Sequence, residues 1–282
     1  MATSLEGITN NYLESLIQIF DREGFCVVKN MIGPEHVAFL KSFAEVSIVF
    51  ADKIFEDSGK DRLGMHLKDK SYVFANPSNH FPQLNQVSFG VEMMTFVRNF
   101  LGPNSYLVHD QFTIKNPMTT KDLSDSRKLG YSTEYDFGWH QDRYEQESAT
   151  HVHDPFITCL IPLHDMGDDN GGIRLVPFSN YNRSREAMPH VDGNVTEDVE
   201  KFGITVDCKV GDILFWTSNT LHSSRPNTSD ANPRWVYIAQ FSAIPLAMAG
   251  RNDCAMRSGQ IIGENQNDIS KPLLMGVNLN YV

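Results

Sequence analysis

Cysteine is scarce in this chain: four residues in 282, Cys26, Cys159, Cys208 and Cys254, with no C-x-x-C pair among them. Nothing in that pattern suggests a disulfide framework, and it points to a reducing compartment. Cys26 and Cys159 sit inside apolar runs ("GFCVVKN", "FITCLIPL") and read as small buried hydrophobes. Positive charge is also lacking. The formal net charge is -11, which argues against a nucleic-acid partner, whose recognition needs a basic footprint, and against an anionic membrane surface. No apolar run is long enough to span a bilayer. The start, "MATSLEGITNNYLESLIQ", has neither the basic opening nor the continuous apolar core of a signal peptide, so a cytoplasmic protein is expected. What the chain does have is apolar content: hydrophobic residues are 41%, enough for a sizeable core, so disorder is not the expectation.

The pattern changes once along the chain. Leu13, Leu16, Ile17 and Phe20 lie on one helical face, with Gly24 as the stop. "FCVVKNMI" predicts a strand, and "GPEHVAFLKSFAEVSIVFADKIF" a helix opened by Pro34. Residues 57–90 read as loop with short elements, and "VEMMTFVRNFLG" as a helix ending at Gly102. From Ser105 onward, runs rich in β-branched and aromatic residues alternate with Gly, Asn, Asp and Pro clusters, the mark of an antiparallel β body. The expected fold is mainly β with flanking helices, a double-stranded β-helix of the jelly-roll or cupin-like kind. One domain spans 1–282: a helical N-terminal layer to about 104, a β core over about 105–245 and a C-terminal extension over 246–282. The charged stretch from Met118 to Phe137 reads as a long loop, a lid or binding loop leading into the next motif.

That motif is "WHQDRYEQ". On a strand, residues two apart share a face, so His140 and Asp142 reach into one space. His222 leaves a later strand ("GDILFWTSNTLHSS"), and Arg234 opens the next. Two imidazoles and one carboxylate on one side of a metal leave its other positions open, the donor set of non-haem Fe(II) oxygenases. Arg234 supplies a fixed cationic fork for a carboxylate, among the apolar positions Val236 and Ile238 of the same parity.

Taken in order, "HQD", "NGGIRLVPFSN", "GDILFW", "LHSSRPN" and "PRWVYIAQF" resemble the phytanoyl-CoA dioxygenase family of Fe(II)/2-oxoglutarate-dependent oxygenases. "DREGFCVVKNMIGPEHVAFLKSFAEV" is similar to that family's opening. The resemblance implies His140, Asp142 and His222 as iron ligands, 2-oxoglutarate as cosubstrate with O2, Arg234 on its far carboxylate and Ser224 beside it. "HDQFTIKNP" resembles the matching strand of ectoine hydroxylase, which places Gln111 and Lys115 in the cosubstrate pocket, Lys115 standing where that enzyme has Asn. Thr158 is a further cosubstrate candidate. "PFSN" departs from the family's Pro-Gly-Ser-His turn. The activity implied is oxidation of a C–H bond in a small metabolite or natural product, with 2-oxoglutarate decarboxylated to succinate and CO2. A CoA thioester fits poorly because no basic cluster is present for its phosphates. A jelly-roll metal hydrolase or isomerase and a non-catalytic ligand-binding barrel are the alternatives. Outside this set, "HVHD" (His151 to Asp154), Lys68 and Lys70 read as solvated. Tyr144, Arg174 and Trp216 read either as lining of the substrate pocket or as surface (Tyr144, Arg174) and barrel packing (Trp216).

Overall fold

The computed structural model describes residues 10–103, 105–128, 137–142, 156–181, 197–243, 255–257, 260–262, 273–275 and 277. Helix α1 (Asn10–Glu23) leads through Gly24, whose φ of 80° reverses the chain, into strand β1 (Phe25–Val28). Helix α2 (Pro34–Ser58) starts on Pro34 and stops at Gly59, which takes the left-handed conformation a helix C-terminus favours. Three short strands follow, β2 (Arg62–Leu63), β3 (His66–Leu67) and β4 (Ser71–Ala75). Short helices α3 (Pro77–His80) and α4 (Asn85–Ser88) precede α5 (Val91–Leu101). The long strand β5 (Tyr106–Lys115) is followed by helix α6 (Thr120–Lys128) and β6 (Phe137–His140). Then come β7 (Phe156–Pro162), β8 (Ile173–Leu175), α7 (Phe178–Tyr181), α8 (Glu197–Phe202) and β9 (Ile204–Thr205). The remaining strands are β10 (Ile213–Thr217), β11 (His222–Ser224), β12 (Arg234–Ser242), β13 (Ala255–Arg257) and β14 (Gln260–Ile262).

Two antiparallel sheets result. The major one runs β1-β10-β7-β12-β5-β4-β3-β2, with β13 and β14 continuing from the far end of β5. The minor one runs β6-β11-β8-β9. This is the expected sheet-rich jelly roll with flanking helices, built as two sheets rather than a closed barrel among the described residues. The stretch over 57–90 is loop with short elements, as expected, and one of them, β4, joins the major sheet. One sequence reading differs. Part of the Met118–Phe137 loop is helix α6. Its face carries almost no apolar residue to signal it, and it is held instead by a reciprocal cap: Thr119 N–H donates to Asp122 Oδ2 and Asp122 N–H to Thr119 Oγ1.

The major sheet has two unlike faces. One buries Phe112, Ile114, Ile157, Cys159, Ile161, Ile213, Phe215, Tyr237, Ala239 and Phe241 under α1, α2 and α5. The other face looks toward the minor sheet, and cross-strand register arranges its side chains in rows. One row reads Trp216, Thr158, Gln240 and His109. The next reads Leu214, Leu160, Ile238 and Gln111, followed by Pro162, Val236 and Thr113. The last holds Arg234 beside Lys115.

The C-terminal stretch is tied to this sheet by His66. Its Nδ1 accepts the Val73 N–H at 3.2 Å, and its Nε2–H donates to the Met275 carbonyl at 2.7 Å, which fixes a neutral ring. Burial holds the His66 pKa below its ordinary value, and Arg62 adds to that. The unfolded chain therefore takes up more protons as pH falls through the histidine range. Stability from this residue is full above that range and declines on acidification. His66→Gln is expected to be less stable than wild type near neutral pH, with a flatter loss of unfolding free energy between about pH 7 and pH 5. Urea titrations across that interval check it.

Candidate metal centre

The two histidines meet because β6 and β11 pair them directly: His222 lies opposite His140, and the ring centroids are 4.1 Å apart. Asp142 follows the end of β6 by two residues and turns in beside them. Its Oδ1 lies 3.8 Å from His140 Nε2 and 3.4 Å from His222 Nε2, and the three ligand atoms fall within 4.8 Å of one another. Each ring is oriented from behind. His140 Nδ1 donates to the Gly138 carbonyl at 2.6 Å, and His222 Nδ1 to the Thr220 carbonyl at 3.0 Å. A carbonyl oxygen only accepts, so Nδ1 carries the proton in both rings and each Nε2 is directed inward.

Asp142 is held just as closely. Its other oxygen, Oδ2, accepts from Thr158 Oγ1 at 3.0 Å, Gln240 Nε2 at 3.1 Å and Trp216 Nε1 at 3.3 Å. Three donors on one oxygen leave Oδ1 to face the imidazoles, the geometry of a ligand that binds through one atom. Burial pushes the Asp142 carboxyl up, but the His222 and His140 imidazoles and these hydrogen bonds outweigh it, holding the group well below the usual carboxylate range. Burial likewise opposes charge on His222, yet Asp142 raises its pKa above the ordinary value. His140, pushed down by burial and by His222, falls to about 4. The cluster thus favours positive charge at its centre but cannot place it on both rings. A divalent cation would satisfy all three donors at once, and mixed nitrogen and oxygen donors suit iron. The His140 side chain keeps 39% of its exposure, against 7% for His222, so the open side of the centre lies over His140.

A second constellation lies where Lys115 and Arg234 face each other across β5 and β12. Both are buried, at 2% and 1% exposure, so the two cations sit side by side in the interior. Lys115 Nζ donates to Ser224 Oγ at 2.9 Å and to the Arg225 carbonyl at 2.7 Å, and it lies 5.5 Å from the Phe137 ring centre. Ser224 is two residues beyond His222 on β11, one side-chain repeat of roughly 7 Å, comparable with the length of a five-carbon diacid. Buried cations beside one another favour an anionic ligand. The walls between the two constellations are apolar: Leu160, Ile173, Leu175, Leu214, Val236 and Ile238.

The structure therefore brings together His140, Asp142, His222, Lys115, Ser224 and Arg234. Gln111 is on the same face of β5, its amide donating to Thr113 Oγ1 at 3.0 Å. Thr158 comes to the centre too, but what its hydroxyl touches is the Asp142 carboxylate rather than the cation pair. Trp216 bonds Asp142 as well as packing in the interior. Arg174, read as pocket lining or as surface, is buried behind the minor sheet. Lys70 Nζ reaches the Pro117 carbonyl and Asp122, away from the centre. Tyr144 and His151 to Asp154 lie outside the described residues. Sequence reasoning missed Gln240 and His109. Gln240 carried a signal: it continues the parity of Arg234, Val236 and Ile238 in "RWVYIAQFS", a lone amide where an apolar residue belongs. His109, in the same row, has its ring nitrogens 3.0 Å from Asn76 Oδ1 and 3.1 Å from Gln111 Oε1.

The chain matches the family model described as Phytanoyl-CoA dioxygenase (PhyH) over residues 20–236. It is 25% identical over 249 residues to the ectoine dioxygenase of Stutzerimonas stutzeri (strain A1501), covering 79% of this chain and 75% of that one. It is 22% identical over 267 residues to the ectoine dioxygenase of Bordetella bronchiseptica, covering 84% and 78%. Among solved structures, EctD from S. alaskensis with 2-oxoglutarate and 5-hydroxyectoine aligns with a TM-score of 0.61 at 17% identity, covering 86% of this chain and 78% of that one. The non-heme alpha ketoglutarate dependent carbocyclase SnoK from nogalamycin biosynthesis aligns with a TM-score of 0.59 at 14% identity, covering 98% and 97%. These structural likenesses show a shared fold.

Thr158→Val and Gln240→Leu each remove one donor from Asp142 Oδ2. Each is expected to weaken divalent-metal binding by roughly tenfold, and the pair by more. Calorimetric titration with Co(II) checks this, and unchanged affinity in the double variant would show that Asp142 is held without them.

Proposed function

The chain belongs to the phytanoyl-CoA dioxygenase family, and from that premise we propose its residue roles: His140, Asp142 and His222 hold Fe(II), and Lys115, Arg234 and Ser224 hold the far carboxylate of 2-oxoglutarate. The protein is an Fe(II)/2-oxoglutarate-dependent dioxygenase acting on a small metabolite. The observation that carries the residue assignment is the inward aim of three donor atoms, each fixed from behind by partners that leave it no other task. When bound, the iron couples O2 and the decarboxylation of 2-oxoglutarate to succinate and CO2 with oxidation of a C–H bond.

The chain's own residues do the rest. Gly138 and Thr220 carbonyls keep both imidazoles in one tautomer. Thr158, Gln240 and Trp216 keep Asp142 to one oxygen, so three protein ligands leave coordination positions for the oxo acid and O2. Lys115 and Arg234 neutralise the distal carboxylate, and Ser224 offers its hydroxyl beside them. The apolar walls keep water from the cosubstrate channel. Gln111, Thr113 and His109 make the β5 side of the cavity polar, which suits a substrate with hydrogen-bonding groups, a hydroxylated or heterocyclic metabolite rather than a hydrocarbon chain. The whole described chain works as one catalytic domain. We place it in the cytoplasm: Cys26, Cys159 and Cys208 are buried free thiols, and no helix among the described residues is long and apolar enough to cross a membrane.

A metabolite screen scored by succinate formation matched to substrate loss tests the reading directly. The cosubstrate assignment has its own test. Losing a buried charged hydrogen bond costs about 2–5 kcal/mol, at least roughly 30-fold in affinity. Arg234→Ala and Lys115→Met are therefore each expected to raise the KM for 2-oxoglutarate by that order. Arg234→Lys should recover only part of it, because the bidentate fork is lost. Succinate release at saturating Fe(II) measures this, and an unchanged 2-oxoglutarate dependence in Arg234→Ala would assign the carboxylate to another cation.

A further inference from the structure

Glu200 sits on the outer side of the minor sheet, away from the metal centre, yet three of its partners lead back to that centre. Its Oε2 accepts from Trp139 Nε1 at 2.8 Å. Its Oε1 accepts from Arg174 Nη1 and from Arg225 Nη2, the latter at 2.9 Å. Trp139 is the residue before His140. Arg174 is paired across β8 and β11 with Ser223, the residue after His222. Arg225 follows Ser224, and its carbonyl accepts from Lys115 Nζ. One carboxylate thus joins the strand of each metal-binding histidine to the carbonyl that seats the cosubstrate lysine.

The backbone does not hold these strands firmly. Among the described residues β6 is an edge strand of the minor sheet, paired with β11 alone, and that ladder has two paired positions with a shift in register between His222 and Ser224. The separation of the two histidines therefore depends on what grips β6 from outside. Gln141, whose amide donates to the Asn219 carbonyl at 2.7 Å, holds the strand on one side of His140, and Trp139 holds it on the other. Its indole is buried and lies under the Arg174 guanidinium, 5.1 Å from the ring centre, and Gly203 packs against it where any side chain would collide. The indole cannot turn while Glu200 holds its N–H. Arg225 and Glu200 are both partly exposed, so their ion pair is screened and contributes little to global stability. What the cluster controls is position.

We infer that Glu200 is a positioning residue that sets the His140–His222 spacing from behind the sheet, acting through Trp139 and Arg174. The inference rests on the metal-binding reading of those histidines. The test is Co(II) titration of the full chain, followed by calorimetry and by the visible ligand-field spectrum, in wild type, Glu200→Gln and Trp139→Phe. Trp139→Phe keeps an aromatic ring and both ion pairs but removes the N–H together with part of the indole, so it tests the indole contact separately from Glu200→Gln. Both variants are expected to bind Co(II) roughly tenfold more weakly, with shifted ligand-field bands; Trp139→Phe also loses some thermal stability, because part of the indole's packing goes with the N–H. Wild-type affinity and an unshifted spectrum in both variants would overturn the proposal and leave the cluster a purely structural tie. A wild-type chain that takes up no Co(II) would instead remove the metal reading, and the proposal with it.

Discussion

Asp142 must be charged to bind a metal, yet it sits in the interior, where an isolated carboxylate is costly. The structure resolves this by dividing the two oxygens between two sheets. Oδ2 is saturated by Thr158, Gln240 and Trp216, one donor from each of three adjacent strands of the major sheet. Oδ1 is left for the minor sheet, where the two histidines meet it. The sheets are thus joined at the candidate metal centre by one side chain whose two oxygens belong to different layers. The cross-strand register that aligns Trp216, Thr158 and Gln240 is what makes the arrangement possible. A one-residue slip in β12 would turn Gln240 to the helix side and Arg234 with it.

The same register places the second charged element. Arg234 and Lys115 share a row three steps along the sheet from Gln240, and the rows between are apolar on β7, β10 and β12. An interior with candidate cation ligands at one level, two cations at another and apolar side chains between favours a molecule with an anionic group at each end. 2-Oxoglutarate is such a molecule, and the family to which the chain belongs uses it. On β5 the corresponding positions, Gln111 and Thr113, are polar, so that strand differs in kind from its neighbours: it can form hydrogen bonds.

Much of this was legible in the sequence because the informative residues are tied to local pattern. "HQD" at strand spacing, a histidine leaving "GDILFW" and an arginine opening "RWVYIAQF" keep their meaning whatever loops lie between them. Lys115 was legible through resemblance alone, since a lysine near the end of a strand reads as solvent-facing until its neighbour across β12 proves to be Arg234. Gln240 and Glu200 were harder. Gln240 acts on a residue 98 positions away, and Glu200 on Trp139, 61 away, so neither contact has a local period. Helix α6 escaped for a different reason: its cap holds it without an apolar stripe, and periodicity senses only the stripe.

The central claim is that one chain holds one Fe(II) through His140, Asp142 and His222 and seats 2-oxoglutarate on it. Anaerobic addition of Fe(II) and then 2-oxoglutarate to the intact protein, followed by visible absorption, tests this most directly. The account predicts a weak charge-transfer band that grows to one equivalent of each, does not form with succinate, and is absent when His222 is replaced by Ala. No band in the wild type at saturating Fe(II) and 2-oxoglutarate, or a band untouched by His222→Ala, would contradict it.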